Sequence, residues 1–214
     1  MTQQGFKCLY SVDNWAPAAR AHSLNHPGAF EDDQVKDIFD VAVFEQIKDL
    51  LGRGEADLII GSPPCTQFSF ANRGGSGNVV KGMLLVRRFF EVIDFVQNEL
   101  KRPDFPWVME NVPRLKDFIE QECIDSANGI YAFNYTERPD CFYQIHIPKV
   151  VILNAADMGA PQRRSRLYCG NFDIPKPEFI SPEIKEHPNK LQEFSRIHGM
   201  AMGALKNLPR WRTL

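Results

Sequence analysis

Apolar residues in this chain follow two spacings that alternate from end to end. Short runs that read as strands lie near residues 7–12, 57–61, 106–110, 143–154 and 166–171. Between them, near 16–25, 40–52, 82–99 and 114–122, apolar positions recur every three or four residues, as in a helix with one buried face. The clearest helix is 82–99, which contains Gly82-Met-Leu-Leu-Val-Arg-Arg-Phe-Phe-Glu-Val-Ile-Asp-Phe-Val96. Its Phe and Val stripe reads as core. Strands alternating with helices predict an α/β fold with a doubly wound, mostly parallel sheet. No internal repeat or low-complexity tract interrupts the pattern.

Three of the strand ends carry chemistry. Asp57-Leu-Ile-Ile-Gly-Ser-Pro-Pro-Cys65-Thr-Gln-Phe-Ser69 is a short buried run that stops at a stiff turn bearing a thiol. Pro64 fixes its own φ and biases Pro63 toward an extended conformation, so Cys65 is presented in a defined direction at the carboxyl edge of the sheet. Pro106-Trp-Val-Met-Glu110-Asn111-Val112-Pro113 is a second such strand, ending in a carboxylate and an amide. In the stretch Asn154 to Gly170, Gln162 precedes Arg164 and Arg166, which are two apart on a strand and point the same way. Taken singly, these are a core cysteine, a solvated glutamate and a basic hairpin rim. Taken together, in this order and each at a strand edge, they point to one site.

Pro64-Cys65 with Phe68-Ser69, then Glu110-Asn111-Val112, then Gln162-x-Arg164-x-Arg166 resemble the signature motifs of the DNA (cytosine-5) methyltransferase family. The likeness runs from about residue 5 to about residue 172. It implies the class I S-adenosylmethionine-dependent methyltransferase fold and a reaction on carbon 5 of cytosine. That carbon is too weak a nucleophile to take a methyl group unaided. A thiolate added at carbon 6, here Cys65, makes it an enamine carbon, and cysteine suits the task because it is partly ionised near neutrality. By the resemblance Glu110 hydrogen-bonds ring nitrogen 3 and the exocyclic amine, Arg166 reaches oxygen 2, and Arg164 lies near the phosphate and the nucleophile. Ser69, Asn111 and Gln162 are orienting residues. The target base must be rotated out of the duplex.

For the cofactor, the strand Lys7–Asp13 ends in a carboxylate, placed to accept from ribose hydroxyls. Asn14 or Trp15 would meet the adenine. Val35-Lys-Asp37-Ile38 resembles the next family motif, in which the carboxylate meets the adenine amine and the apolar residue packs on the ring. Pro64 and Leu84 complete the cofactor residues by family position. As helix caps, Asp13 and Asp37 would have an ordinary structural use as well.

The family's Phe-x-Gly-x-Gly-Gly loop does not precede Gly5-Phe6, so the sheet is expected to lack its first strand, between the strand ending at Asp13 and that ending at Gly61. The long target-recognition region and the final Gly-Asn-Ser-Val segment are also absent from these 214 residues. Residues 1–172 read as a partial catalytic domain and 173–214 as a C-terminal extension. Arg73-Gly-Gly-Ser-Gly-Asn78 reads as a loop closing over DNA or as a plain linker.

The net charge of −2 divides into +5 for residues 149–214, with 11 Lys and Arg against 6 Asp and Glu, and −7 for residues 1–148. The basic part contains Arg164 and Arg166, where a phosphate backbone would lie. Five cysteines without C-x-x-C spacing argue against zinc or any other metal site and against a disulfide scaffold, and place the chain in a reducing cytoplasm. No apolar run approaches the roughly 20 residues of a membrane span. The expected activity is therefore S-adenosylmethionine-dependent methylation of cytosine in double-stranded DNA, in a restriction-modification setting among others. The alternatives are a tRNA cytosine as substrate, or a catalytic half or inactive remnant that needs a complementing polypeptide.

Overall fold

The computed structural model describes residues 7–25, 35–68, 78–158 and 163–173. Ser69, Gln162, most of the glycine-rich run and residues 174–214, nearly the whole expected extension, lie outside the described residues. Among the described residues four helices, α1 (Ala16–Asn25), α2 (Val41–Gly52), α3 (Val79–Asp94) and α4 (Leu115–Glu120), accompany seven strands. These are β1 (Ile59–Gly61), β2 (Trp107–Asn111), β3 (Cys123–Asp125), β4 (Ile130–Asn134), β5 (Phe142–His146), β6 (Lys149–Asn154) and β7 (Ser165–Asn171).

The main sheet has the order β1-β2-β7-β6. The mostly parallel, doubly wound sheet of expectation is here a mixed one. β1 and β2 pair in parallel through the crossover helix α3, but β7 is antiparallel to both of its neighbours. Because β2 and β6 both oppose β7, β1, β2 and β6 run one way and β7 alone runs the other. Residues 7–12 form no strand: a strand exists only as part of a ladder, and no described residue offers this segment one. The expected missing first strand is neither supported nor opposed by this arrangement.

Residues 143–154 are two strands in two sheets. Pro148 has no N–H to donate and ends the ladder, so β5 joins the antiparallel sheet β3-β4-β5 while β6 joins the main one. The hairpin of β3 and β4 was not expected from the sequence.

Helix α3 organises the molecule. Asn78 caps it, its side chain accepting from Lys81 N at 3.0 Å. One stripe, Val86, Phe90 and Ile93, packs with Trp107, Met109, Phe133 and Tyr143 from both sheets. A second, Val92 and Val96, packs with Leu51 of α2 and with Phe105. A π-helical turn, Phe95–Glu99, continues the helix. Its Gln97 amide both donates to His146 O and accepts from His146 N, each at 2.9 Å, and Asn98 donates to Gln144 O at 2.7 Å. Side-chain amides thus stand in for a neighbouring strand along β5 and blunt its edge.

Gly170 lies where β7 crosses β2, at φ +155, and a Cβ there would stand 2.2 Å from Trp107 O and 3.0 Å from Val108 Cα. Both contacts are backbone, so neither can swing away. Gly170→Ala should cost about 2–3 kcal/mol, the upper part of the overpacking range. Urea unfolding that shows a lower midpoint at unchanged slope would bear this out, and an unchanged midpoint would refute it.

Candidate active site

The site forms where β1 and β2 end side by side. β2 alternates strictly: Trp107, Met109 and Asn111 face the core under α3, while Val108 and Glu110 face the other way, half-buried. Consecutive residues therefore do opposite jobs. Asn111, fully buried, donates from Nδ2 to Pro63 O at 2.9 Å and accepts from Val112 N at 2.9 Å. It ties the turn that carries Cys65 to the end of the neighbouring strand.

Glu110 is held at both oxygens. Ser62 Oγ donates to Oε2 at 2.8 Å, and Arg166 Nε lies 2.8 Å from Oε1. The reversed strand β7 makes the second contact available. Its antiparallel register sets Glu110 opposite Tyr168, so Arg166, two residues along on the same face, is the diagonal neighbour of Glu110. Had β7 run parallel, its first residues would lie at the far end of the sheet. Arg166 is further fixed by donation from Nη1 to Ser165 O at 2.8 Å. The pair is about a quarter exposed, with side chains at 23% and 29%.

The turn at Cys65 is built from three supports. Phe68 N donates to Cys65 O at 3.0 Å, Phe68 is fully buried, and Gln67 Oε1 accepts from Asn78 N at 2.6 Å, joining the turn to the start of α3. Gly82 lets the helix approach, since a Cβ there would stand 2.7 Å from the Phe68 ring and 2.8 Å from Gln67 Cβ. Cys65 is half-buried and Pro64 exposed.

The structure thus gathers the Cys65 turn, Glu110, Asn111 and Arg166 at one edge. Arg164 precedes β7 and is exposed; its backbone N donates to Asn154 Oδ1 at 3.3 Å. Two supports were not read from the sequence. Ser62 stands inside the Gly-Ser-Pro-Pro turn, where a small polar residue looks like ordinary turn chemistry, and nothing local to Gln67 shows that it reaches the start of α3.

The expected cofactor residues form a second group. Lys36 N donates to Asp13 O at 3.0 Å, which brings the Asp13–Trp15 turn beside Asp37 and Ile38. Asp13 Oδ1 accepts from Trp15 N at 2.8 Å and Asp37 Oδ1 from Phe39 N at 3.0 Å, so each carboxylate uses one oxygen to close its own turn. Asp13, Asn14 and Asp37 are exposed, Ile38 is half-buried, and Trp15 stands 65% exposed, unusual for so large an apolar ring. Leu84 lies on α3, half-buried. Among the described residues no group of three or more His, Cys, Asp or Glu could hold a metal ion, and no helix is long and apolar enough to cross a membrane.

All five cysteines are free. Burial in β7 pushes the Cys169 thiol up to about 12, whereas Cys141 is exposed and Cys65 half-buried. At pH 8, iodoacetamide should modify Cys141 and Cys65 on the folded protein and reach Cys169 only after denaturant is added. Peptide mass mapping checks this, and labelling of native Cys169 would show that β7 opens.

The sequence profile of the C-5 cytosine-specific DNA methylase family matches residues 1–210. A putative type II methyltransferase, M.MJ0563P of Methanocaldococcus jannaschii, is 28% identical over 181 residues, 83% of this chain and 52% of that protein. Type II methyltransferase M.HpaII of Haemophilus parainfluenzae is 27% identical over 172 residues, 80% of this chain and 41% of its own length. The solved structure of the Entamoeba histolytica methyltransferase EhMeth, 18% identical, covers 79% of this chain and 48% of its own at a TM-score of 0.44, too slight a likeness to carry an argument. The chain spans 39–52% of the length of the curated relatives it matches first. With the profile covering nearly its whole length, the chain belongs to the C-5 cytosine-specific DNA methylase family.

Proposed function

We propose that this chain carries the catalytic centre of a DNA (cytosine-5) methyltransferase, which uses S-adenosylmethionine and a covalent adduct at Cys65. The observation that supports it best is the joint anchoring of the Cys65 turn and the Glu110 carboxylate. Asn111 holds Pro63 O on one side of β2, and Ser62 holds Glu110 on the other.

In this reading the Cys65 thiol loses its proton and the sulfur bonds to carbon 6 of a cytosine turned out of the duplex. The π pair between carbons 5 and 6 moves to carbon 5. Glu110 steadies nitrogen 3 and the exocyclic amine as charge redistributes over the ring. Arg166 leaves its partner to meet oxygen 2, and Arg164 meets phosphate. S-adenosylmethionine, when bound, supplies the methyl group that carbon 5 takes. Loss of the carbon 5 proton then restores the ring double bond as the sulfur–carbon 6 bond breaks, returning the thiolate.

The residues present fit the cofactor's chemistry. Trp15 offers an exposed ring for adenine, Asp13 a carboxylate for ribose hydroxyls, and Asp37 with Ile38 a carboxylate and an apolar side chain for the adenine edge and face. Asn14, Pro64 and Leu84 remain assigned to the same group, as Ser69 and Gln162 do to orienting the turn and the base. Among the described residues β1 pairs with β2 alone and its Ile60 is 45% exposed, so a further strand, from a complementing polypeptide or elsewhere, would add at that edge.

DNA containing 5-fluorocytosine retains fluorine where the proton must leave, so the adduct persists. With S-adenosylmethionine and any complementing polypeptide present, the wild-type chain should form a covalent complex visible on a denaturing gel, and Cys65→Ser none. Equal trapping by Cys65→Ser would reject the nucleophile. Glu110→Gln should lower turnover by roughly 100-fold or more, the scale of a positioned acid–base group.

A further inference from the structure

Helix α3 carries a buried arginine for which the methyl-transfer chemistry has no direct use. Arg88 is 3% exposed, and a guanidinium so placed needs partners around its whole fork. Nε donates to Ile38 O at 3.0 Å, Nη1 to Glu91 Oε2 at 2.6 Å, and Nη2 lies 3.1 Å from Glu137 Oε1. The plane lies over the Phe44 ring, 3.6 Å from its centroid. The second oxygen of Glu91 accepts from Thr136 N at 2.5 Å. One side chain thereby joins the segment 35–40, the helix, and the turn between β4 and β5.

The partner at Nε matters most. Ile38 belongs to a segment without regular structure of its own, closed by local turns at Asp37 and Asp40 and touching Asp13 through Lys36. Its carbonyl is the point at which the rigid helix takes hold of it. We propose that Arg88 is a positioning residue of the cofactor site, holding the segment that carries Asp37 and Ile38 through the Ile38 carbonyl so that both side chains are presented in place. This rests on the assignment of Asp37 and Ile38 to adenine made above. Lysine could keep the charge beside Glu91, but a single ammonium cannot serve three partners in a plane.

The test uses the full chain and three variants. Arg88→Lys should unfold cooperatively, with faster hydrogen exchange at the amides of residues 36–40. Its KM for S-adenosylmethionine should rise roughly tenfold, the equivalent of about 1.4 kcal/mol, with kcat and the KM for DNA unchanged. The isosteric Glu91→Gln removes one anchor of the guanidinium and should shift the same constant by about threefold; it decides the matter if Arg88→Lys does not fold. Glu137→Gln, at an exposed partner, should stay within about twofold of wild type. Unchanged KM in both core variants overturns the role of Arg88, as does a loss spread equally over kcat and both KM values, which marks a merely structural part. With any complementing polypeptide present, a wild-type chain that does not bind S-adenosylmethionine by calorimetry overturns the cofactor assignment itself, and with it this proposal.

Discussion

A buried carboxamide cannot fall back on water, so the two hydrogen bonds of Asn111 constrain everything around them. If Pro63 O moved away, an N–H at zero exposure would lose its acceptor, at a cost of about 1–3 kcal/mol. The turn that carries Cys65 is therefore located by the strand that carries Glu110. The alternation of β2 sends Asn111 inward and Glu110 outward, so the residue that fixes the turn and the residue that meets its hydroxyl are adjacent in sequence yet act on opposite faces of one strand.

Helix α3 extends that rigidity to the rest of the molecule. Its apolar stripes pack under both sheets and against α2, while its polar face, Arg88, Glu91 and Asp94, is buried and spent on named partners. Asp94 accepts from Tyr135 OH at 2.8 Å and from Asn98 at 2.7 Å, and Tyr143 OH donates to Arg87 O at 2.8 Å. Such contacts specify geometry more than they add stability, because each desolvated charge must be repaid by its partner. A cleft of about 270 Å³ borders this polar face, lined by residues such as Phe44, Lys48, Arg88 and Tyr135 rather than by any residue of the Cys65 site.

The legible parts of the sequence were those in which a local pattern coincided with its tertiary use. Helices α2 and α3, the ends of β1 and β2, and the grouping of Cys65, Glu110, Asn111 and Arg166 could all be read, because buried runs stop sharply at Pro, Glu or Gly. Residues 7–12 had the composition of a strand, but composition cannot supply a partner. Pro148 marks the break within 143–154, but the apolar run on either side of it reads as one strand. Asn128-Gly129, a strong hairpin signal between β3 and β4, went unread beside short strands of weak alternation. The direction of β7 could not be read at all: nothing local in Ser165–Asn171 records which way its neighbours run. Ser62, Gln67 and Arg88 act across 11 to 50 positions of sequence, a separation that spacing rules do not reach.

Glu110 meets its surroundings already engaged at both ends, with a hydroxyl on one oxygen and a guanidinium on the other. A base arriving there would compete with those partners for the carboxylate. Cytosine brings an amino group that can replace Arg166 as donor, freeing the guanidinium to turn toward the base's own carbonyl oxygen. Thymine presents an oxygen where cytosine has its amino group and a ring N–H where cytosine has a bare nitrogen, so it would offer the carboxylate its donor at a different place. The ion pair would then act as a latch whose key is a hydrogen-bond donor at the exocyclic position: a base with an oxygen there leaves Arg166 where it is.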